Sequence, residues 1–229
     1  MSTDDRYGFG RRPTVGDVLE HPLLGLERGR TEIAIAGLLG LTALFAVSYA
    51  GSTVAVGGAP LETLTTQFDT LTKLLIALAT ATITILPFVY AVWNGGPLLS
   101  FAMPLVPVFL GDVAAGQYVL GVDAVIALTV GAAACALAMF ATDVRQVGSL
   151  RPWTTVEIDA VSLLVVTMTV LVAAAGVAQF AAVAPPRNLE WYAPFSVLWL
   201  VPAGIVGAYW QAAVRTTVAT QGDETEIES

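Results

Sequence analysis

The chain has 229 residues, of which 56% are apolar and only 12% charged, with a formal charge of −8 and a mean hydropathy of +0.75. Ordinary soluble domains carry about a quarter charged residues, so a water-solvated globule is excluded and a polytopic α-helical membrane bundle is expected. An acidic membrane chain offers no footprint for nucleic acid, and Cys135 as the only cysteine excludes an intramolecular disulfide or a cysteine-based metal cluster.

Sixteen of the 28 charged residues lie before Ile33 or after Glu190. The expected organisation is therefore a cytoplasmic N-terminal segment (residues 1–30), a six-span membrane domain (31–216) and an acidic cytoplasmic tail (217–229) holding Asp223, Glu224, Glu226 and Glu228. Lys73 stands alone against nine arginines, and Ala, Val, Leu, Gly and Thr dominate. This composition resembles that of proteins from salt-loving archaea, whose carboxylates hold water at the surface.

Residues 1–12 contain arginines but no apolar core, so no cleavable signal peptide is expected. From residue 14 to 30, Val15, Val18, Leu19, Leu23 and Leu26 fall on helical spacing, which predicts a short amphipathic surface helix interrupted at Pro22. The first span is expected over residues 31–51, with Thr31 accepting hydrogen bonds from the first free amides. A loop follows, with a second surface helix suggested by Leu61, Leu64, Phe68 and Leu71, running into a second span at 73–93. Asn94-Gly95-Gly96-Pro97 ends that span in a tight turn, because glycine permits positive φ and proline cannot continue the hydrogen-bond ladder.

The third segment, from Leu98, has fourteen uncharged residues before Asp112 and contains Pro104 and Pro107. A straight span needs about 20 residues, so this one either continues towards Tyr118 or is broken or re-entrant. The fourth span is expected at 123–141, followed by a polar loop with Asp143, Arg145, Arg151 and Pro152. Thr154 and Glu157 have the spacing of a capping box, placing the fifth span at about 155–184. Pro185 to Asn188 form the next loop, and the sixth span covers 194–214, with Trp191, Tyr192, Tyr209 and Trp210 placed as aromatic belts.

With the N-terminus inside, eight basic residues are cytoplasmic and only Lys73 and Arg187 are external. Cytoplasmic loops carry the basic excess, so both termini are expected in the cytoplasm of a cell-membrane protein. Six spans, internal termini and the Ala36–Gly40 and Ala46–Ala50 stripe of the first helix resemble the layout of the solute-binding subunits of energy-coupling-factor importers, which would imply solute transport with a partner subunit. Similar spacings at Ala132–Ala136, Ala134–Ala138, Ala174–Ala178 and Gly204–Ala208 suit close helix approach, within the bundle or against a partner or second copy.

His21 is the only histidine and lies before the first span, which excludes a bis-histidine haem, a histidine zinc site or a Ser/His protease pair at membrane depth. Lys73 sits at a helix end, so a buried Schiff base is not expected. No cofactor, metal or catalytic set is expected. Phe109-Leu110-Gly111-Asp112 resembles the Gly-x-Gly-Asp motif of presenilin-like and prepilin-type aspartyl peptidases, departing from it at Phe109. That resemblance would require a second aspartate, and Asp69, Asp123 and Asp159 are all poorly placed for it. Hydroxyls at Thr80, Thr82, Thr84, Ser162, Thr167 and Thr169 are expected to bond back to their own helices.

The candidate polar or ion site is the bend between the third and fourth segments, formed by Asp112, Gln117, Tyr118 and Asp123 with the helix-breaking Pro104 and Pro107. A broken helix frees carbonyls that can join a carboxylate in holding a cation or proton. The expected role is the membrane component of a small-solute transport system; the alternative is a structural or assembly subunit of a membrane complex.

Overall fold

The computed structural model describes residues 14–53, 62–116, 120–155 and 159–227, and no strand occurs among them. The helices are α1 (Val15–Leu19), α2 (Arg28–Thr53), α3 (Glu62–Thr84), α4 (Leu86–Asn94), α5 (Pro97–Ala102), α6 (Leu105–Ala115), α7 (Val122–Val147), α8 (Ala160–Val183), α9 (Pro186–Tyr192) and α10 (Leu200–Ile227). Short 3₁₀ segments occupy Pro152–Thr154 and Ala193–Trp199. Five stretches are long and apolar enough to cross a membrane: Arg28–Ala50, Pro97–Ala115, Val122–Val147, Ala160–Val183 and Pro186–Thr217. Asp69–Thr84 and Leu86–Asn94 meet the same criterion together, giving up to six crossings in a multi-pass membrane bundle.

The second span, expected to be continuous, is bent, and of the two alternatives for the third the continuous one is found. α3 and α4 meet at a bend of 52°. Pro87 cannot donate a backbone hydrogen bond and its ring crowds the carbonyl four residues back, so the helix distorts at Ile85 (φ −114°, ψ −50°) and the chain restarts as α4. In the third span, Met103 and Pro104 both keep right-handed helical angles between α5 and α6. The axis therefore carries through the prolines, and Pro97–Ala115 forms one 19-residue stretch.

α7 is the hub, packing against α4, α5, α8 and α10. Ala127, Ala132, Ala133, Ala134, Ala136 and Ala138 have no exposed surface, so the small side chains admit neighbours on every side. A Cβ on Gly131 would lie 2.7 Å from the Phe101 carbonyl, which shows how closely α5 approaches. The Ala132–Ala136 and Ala134–Ala138 spacings thus serve packing inside the bundle, whereas Ala36, Gly40, Ala46 and Ala50 of α2 are exposed.

Several boundaries move for identifiable reasons. α2 begins at Arg28, so Thr31 is not its cap; its hydroxyl donates to the Glu27 carbonyl within the first turns. α8 is capped by Asp159, whose carboxylate accepts from the Val161 and Ser162 amides. Thr154 instead donates to the Arg151 carbonyl in the preceding turn, and Glu157 lies outside the described residues. Of residues 185–188, expected as loop, Pro185 caps α9 and 186–188 start it, because Pro186 suits the first helical position. Tyr192 and Tyr209 are buried rather than belted at the boundary, while Trp191 and Trp210 are exposed. α10 continues to Ile227, well beyond residue 214.

Candidate functional site

The predicted bend site is only partly assembled among the described residues. Pro104 and Pro107 are buried within the third span, Asp112 is half-buried near the end of α6, and Gln117 and Tyr118 lie outside the described residues. Asp123 is exposed in the first turn of α7, where its carboxylate accepts from the Ala124 amide and complements the helix dipole. The Asp112 and Asp123 carboxylates lie within electrostatic reach of one another. Among the described residues, no group of three His, Cys, Asp or Glu side chains could hold a metal ion there or elsewhere.

At the other end of the bundle, polar groups converge in a way the sequence reading did not anticipate. The amphipathic N-terminal helix is short: α1 covers only Val15–Leu19, closed by a capping box between Thr14 and Asp17. The chain then docks against the Asn94-Gly95-Gly96-Pro97 turn. The Leu26 amide donates to the Asn94 carbonyl and the Leu98 amide to the Leu23 carbonyl, both at 2.9 Å. Gly96 is required at this contact, since a Cβ there would lie 1.8 Å from the Leu24 carbonyl oxygen. Gly95 takes φ +71°, the left-handed region that closes α4.

Asn94 organises that contact from inside. Its side chain is fully buried, accepts from the Glu27 amide at 2.9 Å, and donates to the Thr31 and Tyr90 hydroxyls at 2.9 Å each. Tyr90 donates to the Leu24 carbonyl. Arg30 pairs with Glu27, donates to the Trp93 carbonyl and stacks over the Trp93 ring at 5.3 Å.

Behind the docked segment lies a cavity of about 280 Å³, lined by Asp143, Asp159, Tyr209, Gln146, Thr142 and Ser162 and walled by Pro22 and Leu26 of the docked segment. Among the described residues, no basic side chain lines it. Tyr209 donates to the Asp143 carboxylate, and its ring meets Trp153 edge-on at 5.9 Å. Thr142 contacts the Gly95 carbonyl, tying α7 to the α4–α5 turn. The Ser162 hydroxyl, followed by the Val161 and Ser162 amides, holds the Asp159 carboxyl below the usual carboxylate range. Asp143 was expected in a loop after residue 141. It lies instead in α7, one turn beyond Met139 and two beyond Cys135, both buried, so the helical period extended by one turn would have placed it on the interior face.

The threonine row does not form a polar path. Thr82, Thr84, Thr167 and Thr169 each donate to a carbonyl of their own helix. Asp159 sits at the opposite end of the bundle from Asp112, capping α8 beside Asp143. No family model, curated protein or solved structure matches this chain.

Proposed function

We propose that this chain is the membrane component of a small-solute transport system, placed in the cell membrane with both termini cytoplasmic, and that its solute is a small cation or protonated amine. The observation that carries the reading is the acidic cavity around Asp143. It offers two carboxylates, a phenol, an amide and hydroxyls, with no basic side chain among the described residues that line it. Its volume is near the lower end of small-molecule pockets, about 300 Å³. It lies at one end of a multi-pass bundle, where the α4–α5 turn, the last turns of α7, the start of α8 and Tyr209 of α10 meet.

The test is a thermal-shift screen of monovalent cations, divalent cations and small amines on protein purified in high salt. A ligand at a hundred times its Kd stabilises the folded state by about 2.7 kcal/mol. A rise in Tm lost in Asp143→Asn and kept in Asp112→Asn supports the cavity. Loss in Asp112→Asn alone moves the site to the bend between α6 and α7. No rise with any solute, in folded protein, favours the scaffold reading.

A further inference from the structure

We infer that the groove between α2 and the bent α3–α4 pair is a site for one anionic lipid, its acyl chain in the groove and its phosphate at Arg30 and Arg145. The groove encloses about 440 Å³ and runs along one face of α2, past Ile33, Gly37, Gly40 and Leu44. Opposite stand Leu78 of α3 and Trp93 of α4, so the groove spans the 52° bend that opens it. From Ile33 to Leu44 is about 16 Å at 1.5 Å per residue. That is roughly half of a 30 Å hydrocarbon core, the depth of one leaflet and hence of one acyl chain. The space beside Gly37 and Gly40 is open, since a Cβ at either would meet nothing within 4 Å.

The end of this groove is basic. A shallow depression at the same rim is lined by Arg30, Arg145, Val89 and Trp93, so both arginines border the depression that shares Trp93 with the groove. Arg30 is held in place by Trp93, and its charge is balanced by Glu27. Arg145 is exposed and makes no ion pair among the described residues, which leaves a net positive charge at the mouth. The nearest acid on its own helix, Asp143, is turned to Tyr209. An apolar slot one leaflet deep ending in an exposed arginine with no ion-pair partner among the described residues complements a lipid with a negatively charged headgroup, and basic pockets between spans bind such headgroups.

Native mass spectrometry of the full chain in detergent tests this, titrating phosphatidylglycerol and phosphatidylcholine with identical acyl chains. The expected result is selective retention of one phosphatidylglycerol. Arg145→Gln, an exposed and unpaired position, should lower that preference about fivefold, the effect of one basic group at an anionic surface. Gly40→Leu, which fills open space, should reduce retention of both lipids. Equal retention of the two lipids, or a preference unchanged in Arg145→Gln, would overturn the assignment. Full displacement by inorganic phosphate would overturn it in favour of a free-anion site. A dimer or hetero-complex dissociated by Gly40→Leu would overturn it in favour of a helix in the groove. None of these readouts depends on the Asp143 cavity, so an Asp143→Asn control should bind the lipid as the parent chain does.

Discussion

Replacing Asn94 with alanine should release the segment 21–27 from the bundle without unfolding the spans. Three short hydrogen bonds end on this side chain, and their loss is unequal. Thr31 and Tyr90 keep their bonds to the Glu27 and Leu24 carbonyls and to each other, so each loses one of three partners. Side-chain hydrogen bonds in membrane proteins average about 0.6 kcal/mol, giving roughly 1 kcal/mol for this pair. The Glu27 amide loses the acceptor of a part-buried hydrogen bond, which costs about 1–2 kcal/mol. The docked state should therefore lose about 2–3 kcal/mol, a rise of roughly 30- to 150-fold in its opening equilibrium. Hydrogen exchange reads this at two amides, Leu26 and Leu98, which bond across the contact. Both should exchange faster in Asn94→Ala, while amides in the middle of α7 stay protected. Unchanged exchange at Leu26 and Leu98 would refute the role given to Asn94, and uniform acceleration through α7 would show that the contact holds the whole bundle.

Gly96→Ala and Gly37→Ala form a matched pair. The first drives a Cβ into the Leu24 carbonyl and should cost at least the roughly 1–3 kcal/mol of core overpacking, whereas the second meets open space and should leave Tm nearly unchanged. Tyr209→Phe keeps the ring against Trp153 but removes the donor to Asp143. It should lower stability by about 1.5–3 kcal/mol, the worth of a hydrogen bond to a charged group, in a denaturant titration in detergent. Asp159→Ala removes the α8 cap and should cost about 1 kcal/mol at neutral pH. The folded chain holds this carboxyl below its ordinary value, so the stabilisation is full above the unfolded pKa of about 4 and disappears as pH falls through the lower folded value. The Tm gap between the parent chain and the variant should accordingly close on acidification from neutral pH, and a gap independent of pH would count against the cap.

Much of the fold was legible because bilayer crossing is a local property. Long uncharged runs, read residue by residue, locate most of the apolar helices. The turn at Asn94-Gly95-Gly96-Pro97 was legible for the same reason, since positive φ and a missing amide are properties of single residues. The prolines were harder to read. Pro87 bends its span while Pro104 and Pro107 do not, a difference that residue type by itself does not carry. Trp191 and Tyr192 look alike as belt residues, yet one is exposed and the other bonds to Thr129 and Trp199.

The candidate cavity was less legible still. Asp143 and Tyr209 are 66 residues apart, as are Leu24 and Tyr90, and nothing in local hydropathy pairs them. The sequence by itself determined that the chain must fold as membrane-spanning helices, because exposed backbone amides and carbonyls have no partner in hydrocarbon. Only the tertiary structure decided that α7 stands at the centre, that residues 21–27 dock on the α4–α5 turn, and that Asp143 faces a cavity. Each is a choice among helix partners, and among apolar surfaces of similar hydropathy that choice rests on close packing and on buried hydrogen bonds between distant residues.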